Sequence, residues 1–390
     1  MERFLLGICL TLWPATAFAQ TPVTIDLGLI KDAAALYSYP NNCAEVCFRD
    51  QTLPDTIKGY LLSSLKRDGF ETTTVDLAES AGRISIRLTG AGAAEYSKVL
   101  PEYLKLGSLG LTVARGLATA GSPGAHRLWR YNWRYFLPHG VAMVNHRTVQ
   151  LLHFPPDTVL METQNYLAAE TTKRWAKLLL KNDAPLSEVD RFQNIIDVLP
   201  IAAPEREGQT KHFNDVYSHF DDYVRGLLDL WLPRPGMDGR PLVVMGGPAR
   251  QRLKAVTGVD LPQPLELRVI TLKSGTKVPA LAANHPSRIW HAKDDDVPKD
   301  EQLDAAMGIM KQDLIAACWQ VKMGMDTTAS AEPILSLCKQ TWSGRDKEIC
   351  VLSYTQVFGL SENDAQLKCG NLDPNVIRSV GDKYLTVLPE

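Results

Sequence analysis

The most constraining stretch of this 390-residue chain runs from Pro241 to Ile289. Leu242 to Met245 is a short, unbroken apolar run, the pattern of a strand buried on both faces, and Gly246-Gly247-Pro248 stops it abruptly. Glycine at that junction permits positive φ and close backbone approach, while Pro248 suits the first helical position, where a missing N–H costs nothing. The spacing therefore predicts a helix that starts at the strand tip. Farther on, Leu265 to Leu272 and Val278 to Ala283 flank Lys273-Ser274-Gly275-Thr276-Lys277, a turn between two strands. The second strand ends in Asn284-His285-Pro286-Ser287. Proline restricts the backbone of the histidine before it, so an imidazole and a hydroxyl are expected at a strand's carboxyl end, where open α/β sheets place their ligands.

A glycine-terminated strand, a helix and a later strand ending in His-Pro-Ser resemble the second half of the uracil-DNA glycosylase superfamily. Upstream, Phe192-Gln193-Asn194-Ile195-Ile196-Asp197-Val198-Leu199-Pro200 resembles that family's middle strand, which carries an asparagine that reads the flipped base. The resemblance spans roughly His146 to Ala292. It implies an α/β fold, a three-layer glycosylase-like core with a parallel sheet over 125–292, and the pattern of elements before it reads as a small α+β module over 20–120. A cystine-containing helical tail over 293–390 follows.

The same resemblance implies roles. His285 would stabilise negative charge on a departing base, Asn194 would read the base edge, and Ser287 would hold a backbone phosphate. Ile289 would fill the gap left by a flipped nucleotide, and Phe154, Gly246 and Gly247 are candidate substrate contacts. In the family, the loop after the first strand carries an acidic or amide residue just before a proline, to position the attacking water. Here Phe154 precedes Pro155, and Asp157, three residues later, is the candidate substitute; Glu162, Gln164 and Asn165 follow close behind. No cofactor is implied.

Met1 to Ala19 reads as a secretory signal: Arg3, an apolar run from Phe4 to Trp13, then Ala17-Phe18-Ala19 before Gln20. That predicts an exported protein of the periplasm or extracellular space, with no transmembrane segment in the mature chain. Beyond Cys9 there remain Cys43, Cys47, Cys318, Cys338, Cys350 and Cys369, an even number in an oxidising compartment. Cys43 with Cys47 and two bridges among the other four is the simplest pairing. An iron–sulfur cluster, held by some glycosylases, is disfavoured because Cys43-x-x-x-Cys47 has no companion cysteines in the glycosylase-like segment. Asp294-Asp295-Asp296 lacks the glycine and glutamate of a calcium loop and reads as a solvated turn.

Charge is uneven: residues 125–292 hold 21 Lys/Arg against 16 Asp/Glu, whereas 293–390 hold 10 against 16. All eight histidines, His126 to His291, fall in the middle segment. This faint basic excess permits single-stranded or damaged nucleic acid as a partner without requiring it. After the linker Gly121-Ser122-Pro123-Gly124, the stretch from His126 to Phe136 mixes arginines with aromatics, suited either to stacking on bases or to an inter-domain seam. In the amino-terminal part, a strand over Thr21 to Leu27, a helix over Leu53 to Phe70, strands over Glu71 to Leu77 and Arg83 to Leu88 and a helix-rich stretch from Ala93 are expected. Later, Phe213 to Trp231 traces one face of a helix. Another helix, from about Asp300 to Met323, shows an apolar face of Leu303, Met307, Met310, Leu314, Cys318 and Val321.

Three functional readings remain open. One is an N-glycosidic hydrolase with an altered first motif. A second is the same fold without chemistry, binding nucleic acid or an envelope partner, with a cleft blocked by Phe154. The last is a structural protein of the cell envelope in which the amino-terminal module and the cystine-rich tail make the contacts.

Overall fold

A computed structural model describes residues 22–26, 53–119, 130–131, 142–153, 170–202, 216–234, 239–293, 296, 298–326 and 328–370. The expected signal segment, Cys43 and Cys47, the 121–124 linker, Phe154, Asp157, Glu162, Gln164 and Asn165 lie outside these residues, as does the arginine-aromatic stretch apart from Arg130 and Tyr131.

Strands β1 (Val23–Asp26), β2 (Thr74–Ser80) and β3 (Arg83–Thr89) form an antiparallel sheet in the order β1-β3-β2. In β3, Ile84, Ile86 and Leu88 are buried while Arg83, Arg87 and Thr89 are exposed, the period-two pattern of a sheet covered on one side. Helix α1 (Leu53–Arg67) contributes Ile57, Leu61 and Leu65 to this core at four-residue spacing. Gly69, at φ 80°, turns the chain out of it. Strand β2 begins at Thr74 rather than Glu71. Helix α2 (Ala93–Thr119) is one continuous element through Pro101.

Two short strands, β4 (Arg130–Tyr131) and β7 (Ile201–Ala202), pair with each other. The main sheet is built from β5 (Val149–Leu152), β6 (Asn194–Asp197), β8 (Leu242–Met245), β9 (Leu267–Thr271) and β10 (Lys277–Ala283), in the order β6-β5-β8-β10-β9. The first four in that order run parallel, and β9 closes the edge as the antiparallel hairpin partner of β10. The chain passes from β5 to β6 on one side and then returns to β8 on the other. That reversal places a topological switch point between β5 and β8.

Side chains alternate across this sheet. Val149, Leu151, Leu242, Val244, Ala280 and Ala282 face one apolar core, while Leu152, Val243, Met245, Leu281 and Ala283 face another. The first core is filled by α2, α4 (Asp221–Trp231) and α5 (Gly247–Thr257), and is continuous with the interior of the amino-terminal unit. Tyr103 of α2 meets Trp231 of α4 edge to face, with ring centroids 5.7 Å apart. Asp68, just past α1, accepts hydrogen bonds from the backbone N–H groups of Met143 at 2.8 Å and Asn145 at 2.7 Å, and from the Tyr96 hydroxyl at 2.6 Å. One buried carboxylate thus ties the small unit to the segment leading into β5.

The second core lies under α3 (Glu170–Lys181) and α6 (Lys299–Met325), with α7 (Ala331–Trp342), α8 (Asp346–Val357) and α9 (Glu362–Gly370) behind them. Cys318–Cys338 joins α6 to α7, and Cys350–Cys369 joins α8 to α9. The reading of α6 as a helix with one apolar face needs correction. Every residue from 306 to 321 is buried, because the sheet and α3 cover one side and α7 and α8 the other. Its polar residues are consequently interior groups, and α6 is itself the third layer of the sheet. Among the described residues, no helix is long and apolar enough to cross a membrane.

Candidate functional site

The carboxyl ends of β5, β8 and β10 lie side by side at one rim of the sheet by the switch point, where open α/β sheets form their ligand crevice, and each delivers something different. Strand β8 ends at Gly246, whose backbone has φ 87° and ψ 162°, a region closed to residues with a side chain. Its N–H donates to the Ala283 carbonyl at 3.0 Å, which brings the start of α5 beside the turn after β10. A Cβ at Gly246 would sit 3.1 Å from the Cβ of His285. The bare backbone at this position is what admits the histidine.

His285 is half-buried, and its ring orientation is set locally. Nδ1 lies 2.7 Å from the Ser287 hydroxyl and accepts the Ser287 backbone N–H at 3.3 Å. A nitrogen that accepts an amide proton carries none of its own in the neutral ring, so the remaining proton resides on Nε2. Burial, reinforced by His291 and Arg174, pushes the His285 pKa down to about 4. At neutral pH the residue is therefore an uncharged imidazole presenting an N–H donor.

A second histidine stands at the tip of β5. His153 is buried, its Nε2 is hydrogen bonded to the Tyr217 hydroxyl, and the two rings lie 5.5 Å apart between centroids. Because Tyr217 keeps its proton, its pKa being raised by burial, the phenol donates and Nε2 of His153 accepts. Burial and the nearby His285 together push the His153 pKa down to about 3. Two uncharged imidazoles thus stand at the tips of two strands, close enough for His285 to oppose charging of His153. Asp197 closes β6 opposite Leu152 and is fully buried at this same rim.

Asn194 does not share the crevice. The register pairs Asn194 with Val149, and Val149 with Leu242, all at the amino ends of their strands. Three residues of strand, roughly 10 Å at the usual rise, separate Asn194 from the rim where Asp197 and His285 lie. Its side-chain amide is buried with no hydrogen-bond partner among the described residues. The physical reason is simple: in a four-residue parallel strand only the last residue reaches the carboxyl end, and that residue is Asp197.

Ile289 is likewise misplaced for its expected role. It is 0% exposed, packed in the core beneath α6, and cannot be inserted into a duplex; the exposed apolar residue beside it is Trp290, at 38%. Ser287 engages His285, so its hydroxyl orients the imidazole. Gly246 and Gly247 lie where β8 passes into α5, while Phe154 and Asp157 fall outside the described residues. Among those residues, no three His, Cys, Asp or Glu side chains are grouped to hold a metal ion.

His153, Tyr217 and Asp197 were missed as site residues. A signal existed for His153, since it directly follows the apolar run Val149 to Leu152, at the carboxyl end of the first expected strand of the sheet. Tyr217 carried none, because its apolar spacing is that of a core residue. The sequence matches no protein-family model and no curated protein.

Proposed function

We propose that the crevice receives a nucleobase and that His285 donates a hydrogen bond to it as its N-glycosidic bond breaks. The observation that carries this reading is the engagement of His285 Nδ1 by Ser287, which leaves Nε2 as the donor of a ring that burial holds uncharged. When the sugar–nitrogen bond breaks, its electron pair goes to the base. A preorganised donor in a partly dry site favours that developing negative charge, and water supplies the new oxygen–carbon bond at the sugar. The proton released by the water offsets the charge on the departing base. Asp157 is the candidate to position that water.

Several observations support a uracil-DNA glycosylase-like reading: the parallel strands, the crevice at the switch point, the glycine-ended β8 and the His-Pro-Ser turn. In this reading Asp197 takes the position from which a base edge is read, in place of Asn194. Trp290 takes the apolar surface role in place of Ile289. Two disulfides favour an oxidising compartment and hence export.

The displacement of Asn194 and Ile289 favours a second reading, a silent module that binds nucleic acid or an envelope protein. Incubation of the purified chain with uracil-containing single-stranded DNA, beside a His285→Ala variant, separates the two. Base release by wild type and its loss in the variant supports hydrolysis. Salt-sensitive DNA binding with no release supports the module, and neither binding nor release removes nucleic acid from consideration.

A further inference from the structure

Both neighbours of His285 are gripped by one buried ion pair. Arg174 of α3, only 5% exposed, donates from Nη1 to the Pro286 carbonyl at 3.0 Å and from Nη2 to Asp313 Oδ2 at 2.6 Å. Its Nε donates to Gln356 Oε1 of α8 at 3.0 Å. Asp313 of α6, 0% exposed, uses its other oxygen to accept from the Asn284 amide at 3.1 Å, and that amide also donates to Gln312 Oε1 at 2.9 Å. The chain before the imidazole is thus held by a side chain and the chain after it by a carbonyl, through one charge pair.

Stability does not account for this arrangement. A buried ion pair commonly does no better than apolar residues of the same volume, because desolvation cancels much of the attraction. What a guanidinium adds is direction: a rigid planar fork reaching acceptors on three separate elements fixes their mutual placement. Those elements are the His-Pro-Ser turn, α6 and α8, the last two belonging to the cystine-joined helices.

We infer that Arg174 and Asp313 are positioning residues that hold His285 in its single orientation and tautomer, and that through them the helices after residue 299 act on the crevice. The inference deepens the proposed function, since it takes His285 as the working donor. Its test uses no substrate, so failure to release a base leaves it standing or falling separately.

The measurement is nitrogen NMR of the imidazoles in the full exported chain, at neutral pH. Wild type should show a protonated Nε2 and a bare Nδ1 for His285, in one sharp set of signals. Arg174→Met combined with Asp313→Leu removes both charges together and leaves no unpaired ion; its two nitrogen shifts should move toward each other and broaden as tautomers and orientations mix. Asn284→Ala, which keeps the ion pair but cuts one tie to the turn, should show a smaller change of the same kind. Arg174→Lys, with the charge but no fork, should fail to restore the wild-type pattern. Should the double variant not fold, Asn284→Ala and Arg174→Lys decide. A folded variant of either kind with His285 signals identical to wild type overturns the assignment.

Discussion

A methyl group on Gly246 would stand 3.1 Å from the β-carbon of His285, so the end of one parallel strand leaves room for the working residue of the next. The contact is backbone-deep on both sides, and neither partner can swing away as the tip of a long side chain would.

Gly246→Ala should therefore act twice. Holding alanine at φ 87° and ψ 162° costs on the order of 1–3 kcal/mol, and the crowding displaces His285. Urea denaturation should show a lower midpoint with an unchanged slope, and the His285 ring signals should shift. An unaltered His285 spectrum in Gly246→Ala would show that the glycine serves only the turn.

The two histidines set an acid limit on stability. Both have folded pKa values pushed below the unfolded value of about 6.5, to about 4 for His285 and about 3 for His153. In this direction the unfolded chain takes up protons that the folded chain refuses. The stabilisation is complete above pH 6.5 and is lost as the pH falls through the folded pKa values. At about 1.4 kcal/mol per pKa unit the combined loss amounts to several kcal/mol, and less than a simple sum because the rings interact. Urea midpoints at pH 7, 5.5 and 4 in His153→Gln should decline less steeply than in wild type. Parallel declines would mean that His153 titrates normally.

How much of this was legible in sequence depended on whether a residue's role was local. Leu242 to Met245 and the Gly-Gly-Pro stop declare a buried strand and a helix start by composition, and β8 and α5 fall there. His285 at a strand end before proline was legible for the same reason. Asn194 went astray because a period of two cannot say where a short apolar run stops being paired; only the register with Val149 does. Ile289 and the interior polar face of α6 were illegible because burial there is decided by elements far away in the chain.

The bridge from Cys350 to Cys369 joins residues 19 apart in sequence, and in the chain-entropy account such a loop stabilises by about 3 kcal/mol. Replacing both cysteines by alanine should lower the urea midpoint accordingly. Because α8 also presents Gln356 to Arg174, this pair should broaden the His285 signals more than replacing Cys318 and Cys338 does. His285 signals left unchanged when Cys350 and Cys369 are replaced would show that α8 carries no influence to the crevice.

Gln320 of α6 offers a sharper probe of the interior that joins helix to sheet. Its Oε1 accepts the Trp175 indole N–H at 2.8 Å and the Gln150 amide at 3.2 Å, while its Nε2 donates to Thr148 Oγ1 at 2.8 Å and to the Phe192 carbonyl. Gln320→Leu leaves the indole and the Gln150 amide buried without their acceptor, at about 1–3 kcal/mol for each orphaned group. Thr148 still donates to the Phe192 carbonyl at 2.7 Å, so the damage is confined to the two donors. Adding Trp175→Phe to Gln320→Leu removes one orphan and should recover part of the lost stability, even though Trp175→Phe alone destabilises. A double variant whose loss equals the sum of the two single losses would mean that the indole N–H and Gln320 are not coupled, and that α6 is held to α3 at this point by apolar packing alone.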